Sequence, residues 1–511
     1  MNAFNLIDEA WIPVRFPNGH RAELGIRDTL LRAKEITAIE DPSPLVVAAL
    51  HRFLLALLYR AQDGPTDKEQ ARTLFREGLP RERITAYFDK WRERFWLFHE
   101  QWPFGQIPDF APKEWRAWTA LAAEFNADNA KVLFDHENVQ APDEILPSEA
   151  VRWLLAAQTF SVSCGKSELS HTKTAPSATG AMILPLGRNL QDTLLFALVP
   201  ENRFTLSEDL PLWERNPETL ESLRRGHSRS VQGIADRYTW RTRSIRLVPE
   251  SSGGVRRLAF ASGVDCDPGD SRDPMLGYRV DEKNGRLPIQ FRERGLWRDF
   301  DSLLPDNPDD PKLSPQAIQH AIELTRRFPD RFPRVTLALG QVNDKAKIEF
   351  WRMERYELPQ ALAGDSNLRA EIRACLNRAE DTQKALWKAC TSFARDVVSR
   401  GPRDPDKKDT RAFVDQMIPI PFYWSILEAR FHDLLHAYTL DKSESEITLQ
   451  WLEAVRDALT EGWEQHRASV SMGDAWAIRA MVKAEGPLRK ELHTLNQEIA
   501  NLKTAPQKED A

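Results

Sequence analysis

The chain contains 511 residues, of which 41% are hydrophobic and 29% are charged, and its formal net charge is -6 at pH 7. This composition predicts a globular protein of two or more domains and excludes an overall positive field that would attract nucleic acid. A local basic patch is still compatible with the acidic total. The four cysteines form no Cys-x-x-Cys pair, which predicts a reducing cytoplasm and offers no framework for a metal ion.

The N-terminal region begins with a strand pair and a long apolar helix. Residues 1–14 carry acids and no basic cluster, so the sequence predicts no signal peptide. The runs "AWIPV" and "RAELGI" predict two short strands ahead of a helix. The apolar stretch at 43–61 has His51 and Arg52 at its centre, which indicates a buried core helix and not a membrane span.

A polar loop at 161–180 follows a helix predicted over 147–160. Its "CGKS" at 164–167 is similar to the end of a phosphate-binding P-loop, but Phe160 stands where that pattern requires its first glycine. The nucleotide-binding interpretation is therefore rejected. Two interpretations remain open, a solvated linker or a loop whose many donors contact a phosphate backbone.

An arginine-rich block occupies residues 221–249, with seven arginines against two acids and with Tyr238 and Trp240 between them. Arginine forks bind phosphates and aromatic rings stack on bases, so the block is compatible with a nucleic-acid surface. An equally acceptable interpretation is a strand whose alternating arginines, Arg241 and Arg243, pair with nearby acids.

The segment "RDPMLGYRVDEK" ends in a set of groups that metal-dependent nucleases use. Asp273 and Asp281 could hold Mg²⁺, and Lys283 could stabilise the charge that develops during cleavage. The pattern is short and acids are frequent in this chain. The simpler interpretation is that Lys283 contacts a phosphate or a base edge from a loop.

The segment "GQVNDKAKIEFWR" at 340–352 predicts a tight β-hairpin. An apolar, β-branched run precedes it, polar and apolar residues alternate after it, and Asn343-Asp344 at its centre favours a turn. A hairpin tip that carries Lys345 either contacts a partner or is only a solvated turn.

Four long amphipathic helices are predicted after residue 365, over 366–398, 419–439, 445–470 and 474–502. In the third, an apolar stripe recurs at helical spacing, at Leu449, Leu452, Val455, Leu459 and Trp463. The charged stretch 399–411 is interpreted as a connection between the first two helices. The predicted fold class is α+β, with a mixed domain over 1–362 and a four-helix bundle over 365–511.

Six segments together resemble one family. They are "NLIDEAWIPV" near the start, "WPFGQ" at 102–106, "LFDHENV" at 133–139, "EAVRWLLAAQTFS" at 149–161, "DPMLGYRVDEK" at 273–283 and "NDKAKIEFWR" at 343–352. In this order, and with the C-terminal bundle, they are similar to the CasA family, the large subunits of type I-E CRISPR Cascade complexes. The resemblance covers nearly the whole chain.

The resemblance implies a function in RNA-guided defence. A large subunit of this family recognises the protospacer-adjacent motif in double-stranded DNA, mainly from the minor groove, and starts strand separation. It works with the other Cascade subunits and the CRISPR RNA, and it docks a helicase-nuclease. The resemblance implies no catalytic residue, no cofactor and no metal, because the paired cysteines that hold zinc in some relatives are absent here.

The resemblance also assigns roles to individual residues. The hairpin becomes a wedge, with Asp344 and Ala346 beside the motif and Lys345 where the family usually has glutamine, which puts the motif preference in doubt. Lys283 matches a groove-reading lysine, and Phe134 matches an aromatic residue that touches the 5′ end of the CRISPR RNA. A glycine-rich loop beside the motif corresponds to Ser163, Cys164, Gly165 and Lys166, of which only one is glycine.

Overall fold

The computed structural model confirms the α+β class, with small sheets in the N-terminal part and long helices in the C-terminal part. It describes residues 4–122, 124, 142–162, 168–169, 174–175, 177–201, 207–267, 272–281, 283, 285–292, 294–304, 312–344, 347–363, 367–399, 404–440, 442–471 and 473–504. Two compact units are present. One comprises Met1–Leu296 and Ser302–Arg355, and the other comprises Trp297–Asp301 and Tyr356–Ala511.

The first unit combines helices with short strands. Its described helices are Ile26–Leu31 (α1), Pro44–Gln62 (α2), Lys68–Glu77 (α3), Arg81–Trp91 (α4), Pro147–Phe160 (α5), Leu190–Ala197 (α6), Leu220–Arg225 (α7), Ile234–Tyr238 (α8) and Gln316–Thr325 (α9). Its described strands are Ile12–Arg15 (β1), Arg21–Leu24 (β2), Ala38–Ile39 (β3), Arg116–Ala117 (β4), Met182–Leu186 (β5), Ser228–Ser230 (β6), Arg243–Pro249 (β7), Val255–Ser262 (β8), Asp265–Asp267 (β9), Tyr278–Asp281 (β10), Gly285–Pro288 (β11), Lys312–Leu313 (β12), Val335–Asp344 (β13) and Lys347–Glu357 (β14).

Helix α2 is the core of this unit. Ser43 begins it, because its hydroxyl accepts a hydrogen bond from the Val46 amide at 3.2 Å, and Pro44 occupies the first turn. Asp63 ends it in the left-handed conformation, at a φ of 54°. In the part of the chain that the structure describes, only this helix is long and apolar enough to cross a membrane, and nearly all of it is buried within the protein. The prediction of a core helix is confirmed.

A buried ion pair joins α2 to a segment 221 residues away. Arg52 donates from Nη1 to Asp273 Oδ2 at 2.7 Å, and Ser177 donates to the same oxygen at 3.1 Å. The guanidinium of Arg52 also lies 4.1 Å from the centre of the Tyr238 ring. Burial alone would raise the pKa of Asp273, but the positive charges of Arg52 and Arg237, together with hydrogen bonds from Arg52 and the Met275 amide, outweigh it and hold that pKa below its ordinary value.

Strand β13 is the centre of a three-stranded sheet with the order β14-β13-β5. It runs antiparallel to β5, with Val335 opposite Leu186 and Leu339 opposite Met182. Both β5 and the base of β13 are buried, so this pairing anchors the base of the hairpin in the core.

The second unit consists of long packed helices. They are Leu368–Ser399 (α10), Lys407–Asp415 (α11), Pro419–Ala437 (α12), Glu444–Ser469 (α13) and Ala475–Thr504 (α14). Helix α10 packs on α14, and α12 packs on α13. Two buried hydrogen bonds link neighbouring helices, because the Tyr423 hydroxyl donates to the Ala379 carbonyl at 2.8 Å and the Trp451 indole donates to the Cys375 carbonyl at 2.7 Å.

Two details of the predicted bundle are different in the structure. Part of the stretch read as a charged connection forms α11, since Asp406 caps it and Val414 is buried. In α13 the buried stripe includes Trp451, whereas Leu449 is only half-buried.

The Arg52–Asp273 pair generates a stability prediction. Asp273→Ala would leave the buried guanidinium without its counter-ion, and we expect a loss of about 3–5 kcal/mol in the free energy of unfolding. The measurement is the guanidinium chloride unfolding midpoint. The control is Glu35→Ala, which breaks an exposed pair with Arg32 and is expected to cost about 1 kcal/mol or less. Equal midpoints for the two variants would contradict the structural role of Asp273.

Candidate functional site

Lys283 lies at the tip of the β10–β11 hairpin. Asp281 is opposite Gly285, so residues 282–284 form the connection. The Lys283 amide donates to Asp281 Oδ1 at 3.0 Å, which folds the turn, and Gly285 adopts a φ of 70°, which favours glycine. The Lys283 side chain is exposed. The hairpin therefore presents this ammonium group to solvent on a short, hydrogen-bonded loop.

Two further arginines extend the basic surface of this hairpin, and the sequence interpretation missed both. Arg279 and Arg286 are exposed on β10 and β11, on opposite faces of the hairpin. Val280 beside them is also 45% exposed. The signal was present in "YRVDEKNGR", where the charged residues flank a turn, but the sequence interpretation considered only Lys283 as a contact to a phosphate or a base edge.

The second hairpin is the pair β13–β14, which confirms the strands predicted around "NDKA". Asn343 and Asp344, which were predicted to lie in the turn, belong to β13 instead. Asp344 ends β13, but its side chain lies outside the described residues, as do Lys345 and Ala346. Their roles remain predictions.

The loop residues Ser163, Cys164, Gly165 and Lys166, and the aromatic residue Phe134, also lie outside the described residues. The structure does fix where the loop begins and ends. The Gln341 side-chain amide on β13 donates to the Phe160 carbonyl at 2.6 Å, so the loop leaves α5 beside the β13–β14 hairpin.

The C-terminal end of the loop, at Gly180, also lies beside β13. A Cβ on Gly340 would lie 2.7 Å from the Gly180 carbonyl oxygen, so β13 and the loop end touch backbone to backbone. The Ala181 amide donates to the Ile289 carbonyl at 2.8 Å, just after β11. The bases of both hairpins and both ends of the loop thus meet around residues 180–182.

The nuclease alternative is inconsistent with the position of Asp273. Its side chain is 1% exposed, Oδ2 accepts from Arg52 and Ser177, and Oδ1 accepts from the Met275 amide at 3.0 Å. A carboxylate with these partners cannot form a metal site with Asp281 at an exposed hairpin tip. Within the described residues, no three His, Cys, Asp or Glu side chains are grouped closely enough to hold a metal ion.

The aromatic rings of the arginine-rich block cannot stack on bases, because they lie in the core. Tyr238 is 6% exposed, and Trp240 is 3% exposed and donates to the Val264 carbonyl at 3.0 Å. Arg229 pairs with Asp236 at 2.6 Å, but the structural alternative named Arg241 and Arg243. Arg243 is buried too, but it bonds to backbone carbonyls where that alternative expected acids.

A buried pair of carboxyl groups is the strongest enzyme-like feature among the described residues. Glu201 Oε1 accepts from the Ile234 amide at 3.1 Å, while Asp209 accepts from the next two amides at 2.7 and 2.6 Å. The other Glu201 oxygen is buried. Burial, together with the charge of Asp209, raises the pKa of Glu201. Because both groups hold the start of α8, we interpret the pair as structural.

Comparisons with known proteins agree on one family. A family model described as CRISPR-associated protein Cse1 matches residues 5–461. The chain is 34% identical over 511 residues to CRISPR-associated protein CasA/Cse1 of Thermus thermophilus, covering 98% of this chain and 99% of that protein. The solved structure of Thermus thermophilus CasA (Cse1) has a TM-score of 0.84 at 31% identity and covers 97% and 100% of the two chains.

A more distant chain has the same fold. It belongs to a CRISPR RNA-guided surveillance complex and has a TM-score of 0.71 at 21% identity, covering 97% of this chain and 99% of its own.

The carboxyl pair generates a prediction about pH. Because the pKa of Glu201 is raised on folding, the native state holds a proton that the unfolded chain releases near pH 4.5. The free energy of unfolding should therefore fall as pH rises above that value, by roughly 1–3 kcal/mol up to pH 9. Glu201→Gln should flatten this profile in denaturant titrations at pH 5, 7 and 9, whereas the exposed Glu35→Gln should not. An unchanged slope in Glu201→Gln would show that Glu201 does not hold an extra proton in the native state.

Proposed function

The chain belongs to the CasA/Cse1 family of CRISPR-associated proteins, and from that membership we propose that it is the large subunit of a type I-E RNA-guided surveillance complex. In this role it recognises the protospacer-adjacent motif in double-stranded DNA and promotes strand separation for guide pairing. It also helps to recruit the helicase-nuclease. A chain of the same fold belongs to a CRISPR RNA-guided surveillance complex, and this supports the proposal.

The convergence of three segments carries the proposal. The bases of the Lys283 hairpin and the wedge hairpin, and both ends of the 161–180 loop, meet around residues 180–182. All three begin or end at this junction, so loops that differ in sequence can act on one short stretch of duplex. A minor groove offers a degenerate pattern of acceptors, for which a few donors from short loops are sufficient.

Each predicted site residue has a role in this proposal. Lys283 donates to base edges or phosphates, and Lys345 with Asp344 and Ala346 enters beside the motif and parts the strands. Ser163, Cys164, Gly165 and Lys166 approach the DNA backbone. Phe134 contacts the CRISPR RNA. Unstacking a base step costs about a few kcal/mol, which the inserted tip and the phosphate contacts can offset.

The subunit itself is proposed to be non-catalytic. Its partners are the other subunits of the complex, the CRISPR RNA, the target duplex and the helicase-nuclease, and it works in the cytoplasm without a metal or cofactor. In this arrangement residues 1–362 contact the DNA, and residues 365–511 form the bundle. The guide RNA recognises the target sequence by base pairing, while this chain recognises the motif beside which pairing begins.

The decisive experiment measures target binding by the assembled complex with and without this subunit. Duplexes carry a randomised flanking trinucleotide. We expect binding to require the subunit and a restricted set of trinucleotides, and Lys283→Ala and Lys345→Ala each to weaken binding to preferred targets about tenfold. Lys90→Ala, an exposed lysine on α4, is the control. Binding that ignores the flanking sequence and both lysines would make the chain a scaffold only.

Arg279 should behave as a phosphate contact. Arg279→Ala is expected to weaken binding to all flanking sequences alike and to reduce the slope of log affinity against log salt by about 1. Lys283→Ala should instead change the preference among trinucleotides. A change of preference in Arg279→Ala, or an unchanged salt slope, would show that this arginine does not meet the backbone.

A further inference from the structure

A cavity of about 570 Å³ lies in the first unit, away from the residues that carry the proposed DNA recognition. Its walls come from the β1–β3 sheet, the turn before α6 and the β13–β14 pair. The volume falls within the range of roughly 300–1,000 Å³ that ligand pockets in proteins have. Aliphatic side chains form much of the lining, namely Ile39, Val47, Leu186, Leu190, Val335 and Leu337.

The carboxylates that line the cavity are already paired. Glu40 meets Arg15 at 2.9 Å, and Asp41 meets Arg152 at 3.4 Å. Asp330 meets Arg188 at 3.5 Å. Each of these acids is therefore neutralised by an arginine and has little charge left to attract a further cation.

Two arginines of the lining are different. Arg334 and Arg355 are exposed, and within the described ranges no carboxylate pairs with either of them. Met353, on the same exposed face of β14 as Arg355, is 50% exposed and also lines the cavity. The cavity thus combines two uncompensated positive charges with a half-open apolar wall.

We propose that this cavity binds a polypeptide segment of a partner subunit, in which an acidic residue lies close to an apolar one. The apolar side chain would fill the aliphatic wall, and the carboxylate would accept hydrogen bonds from the guanidinium forks of Arg334 and Arg355. This inference rests on membership in the proposed complex, but it does not depend on DNA recognition.

The lining favours a peptide over the other anionic ligands. His51 and Phe332, the two aromatic rings in the lining, are both buried and offer no face on which a nucleic-acid base could stack. A small free anion would leave the aliphatic wall exposed to water.

Photo-crosslinking in the reconstituted complex tests the proposal. A benzophenone amino acid replaces Met353, and a second sample carries it at Leu146, an equally apolar position that is 63% exposed and does not line the cavity. Mass spectrometry identifies the crosslinked segment. The expected result is a crosslink from position 353, but not from 146, to a partner segment with Asp or Glu within about three residues of an apolar side chain, the spacing at which both can reach one pocket.

Charge reversal supplies the second readout. Arg334→Glu/Arg355→Glu should reduce the crosslink yield about tenfold or more, because two charge-assisted contacts become repulsive. Arg83→Glu/Arg327→Glu changes the net charge equally at exposed arginines outside the cavity and should leave the yield unchanged.

Three outcomes would overturn the proposal: a crosslink to RNA or DNA, a yield at 353 no higher than at 146, or a yield that charge reversal does not lower. Assembly of the unmodified complex is verified first by size-exclusion chromatography. Failure at that step would count against the proposed function, whereas the crosslinking pattern in an assembled complex decides the cavity.

Discussion

The ion pair between Arg52 and Asp273 is the constraint on which the rest of the first unit depends. It joins the centre of the core helix to a segment whose neighbouring residues Met275 and Leu276 are also buried in the core. That segment in turn holds β5, because the Ile183 amide donates to the Met275 carbonyl at 2.7 Å. Strand β5 pairs with β13, and β13 carries the wedge hairpin. One buried charge pair therefore underlies the sheet that positions the candidate site.

The Arg52–Asp273 pair affects the positions of the segments it joins more than it affects net stability. A buried ion pair contributes little net stability compared with well-packed apolar residues, because desolvation offsets most of the attraction. We infer that the pair specifies which segment of the chain packs against the centre of α2. Among the described residues, Asp273 is the carboxylate that pairs with the Arg52 guanidinium, so the pair fixes where the 272–275 segment meets α2. We regard this as the reason that short, irregular strands hold fixed positions in a unit with many loops.

The sequence was informative wherever periodicity is local. Apolar spacing predicted α5 over its observed range and predicted the four long helices to within a few residues, because each helix buries a stripe that repeats every three or four positions. Alternation of polar and apolar residues predicted the β13–β14 hairpin, because successive side chains of a strand point to opposite faces of the sheet. The sequence also identified the family, since six short segments in order are improbable by chance.

The sequence was uninformative wherever partners are distant along the chain. Asp273 was interpreted as a possible metal ligand because its counter-ion is 221 residues away. The arginines of 221–249 were compatible with a nucleic-acid surface because burial of Tyr238 and Trp240 cannot be read from composition. Helix α11 was interpreted as a connection because few apolar residues mark it. Nor can any periodicity reveal that Arg334 and Arg355 border one cavity, since that depends on how separate sheets pack.

The pairing of β13 with β5 restricts how the length of the β13–β14 hairpin can change. Five residue pairs, from Val335 opposite Leu186 to Leu339 opposite Met182, hold the base of β13 in place, so any change in length must appear at the tip. Adding one residue to each arm would turn the side chains beyond the insertion to the opposite face, whereas adding two would preserve every face and extend the tip by about 7 Å. The depth to which such a hairpin reaches can therefore change during evolution only in steps of two residues per strand, each close to the rise of two base pairs.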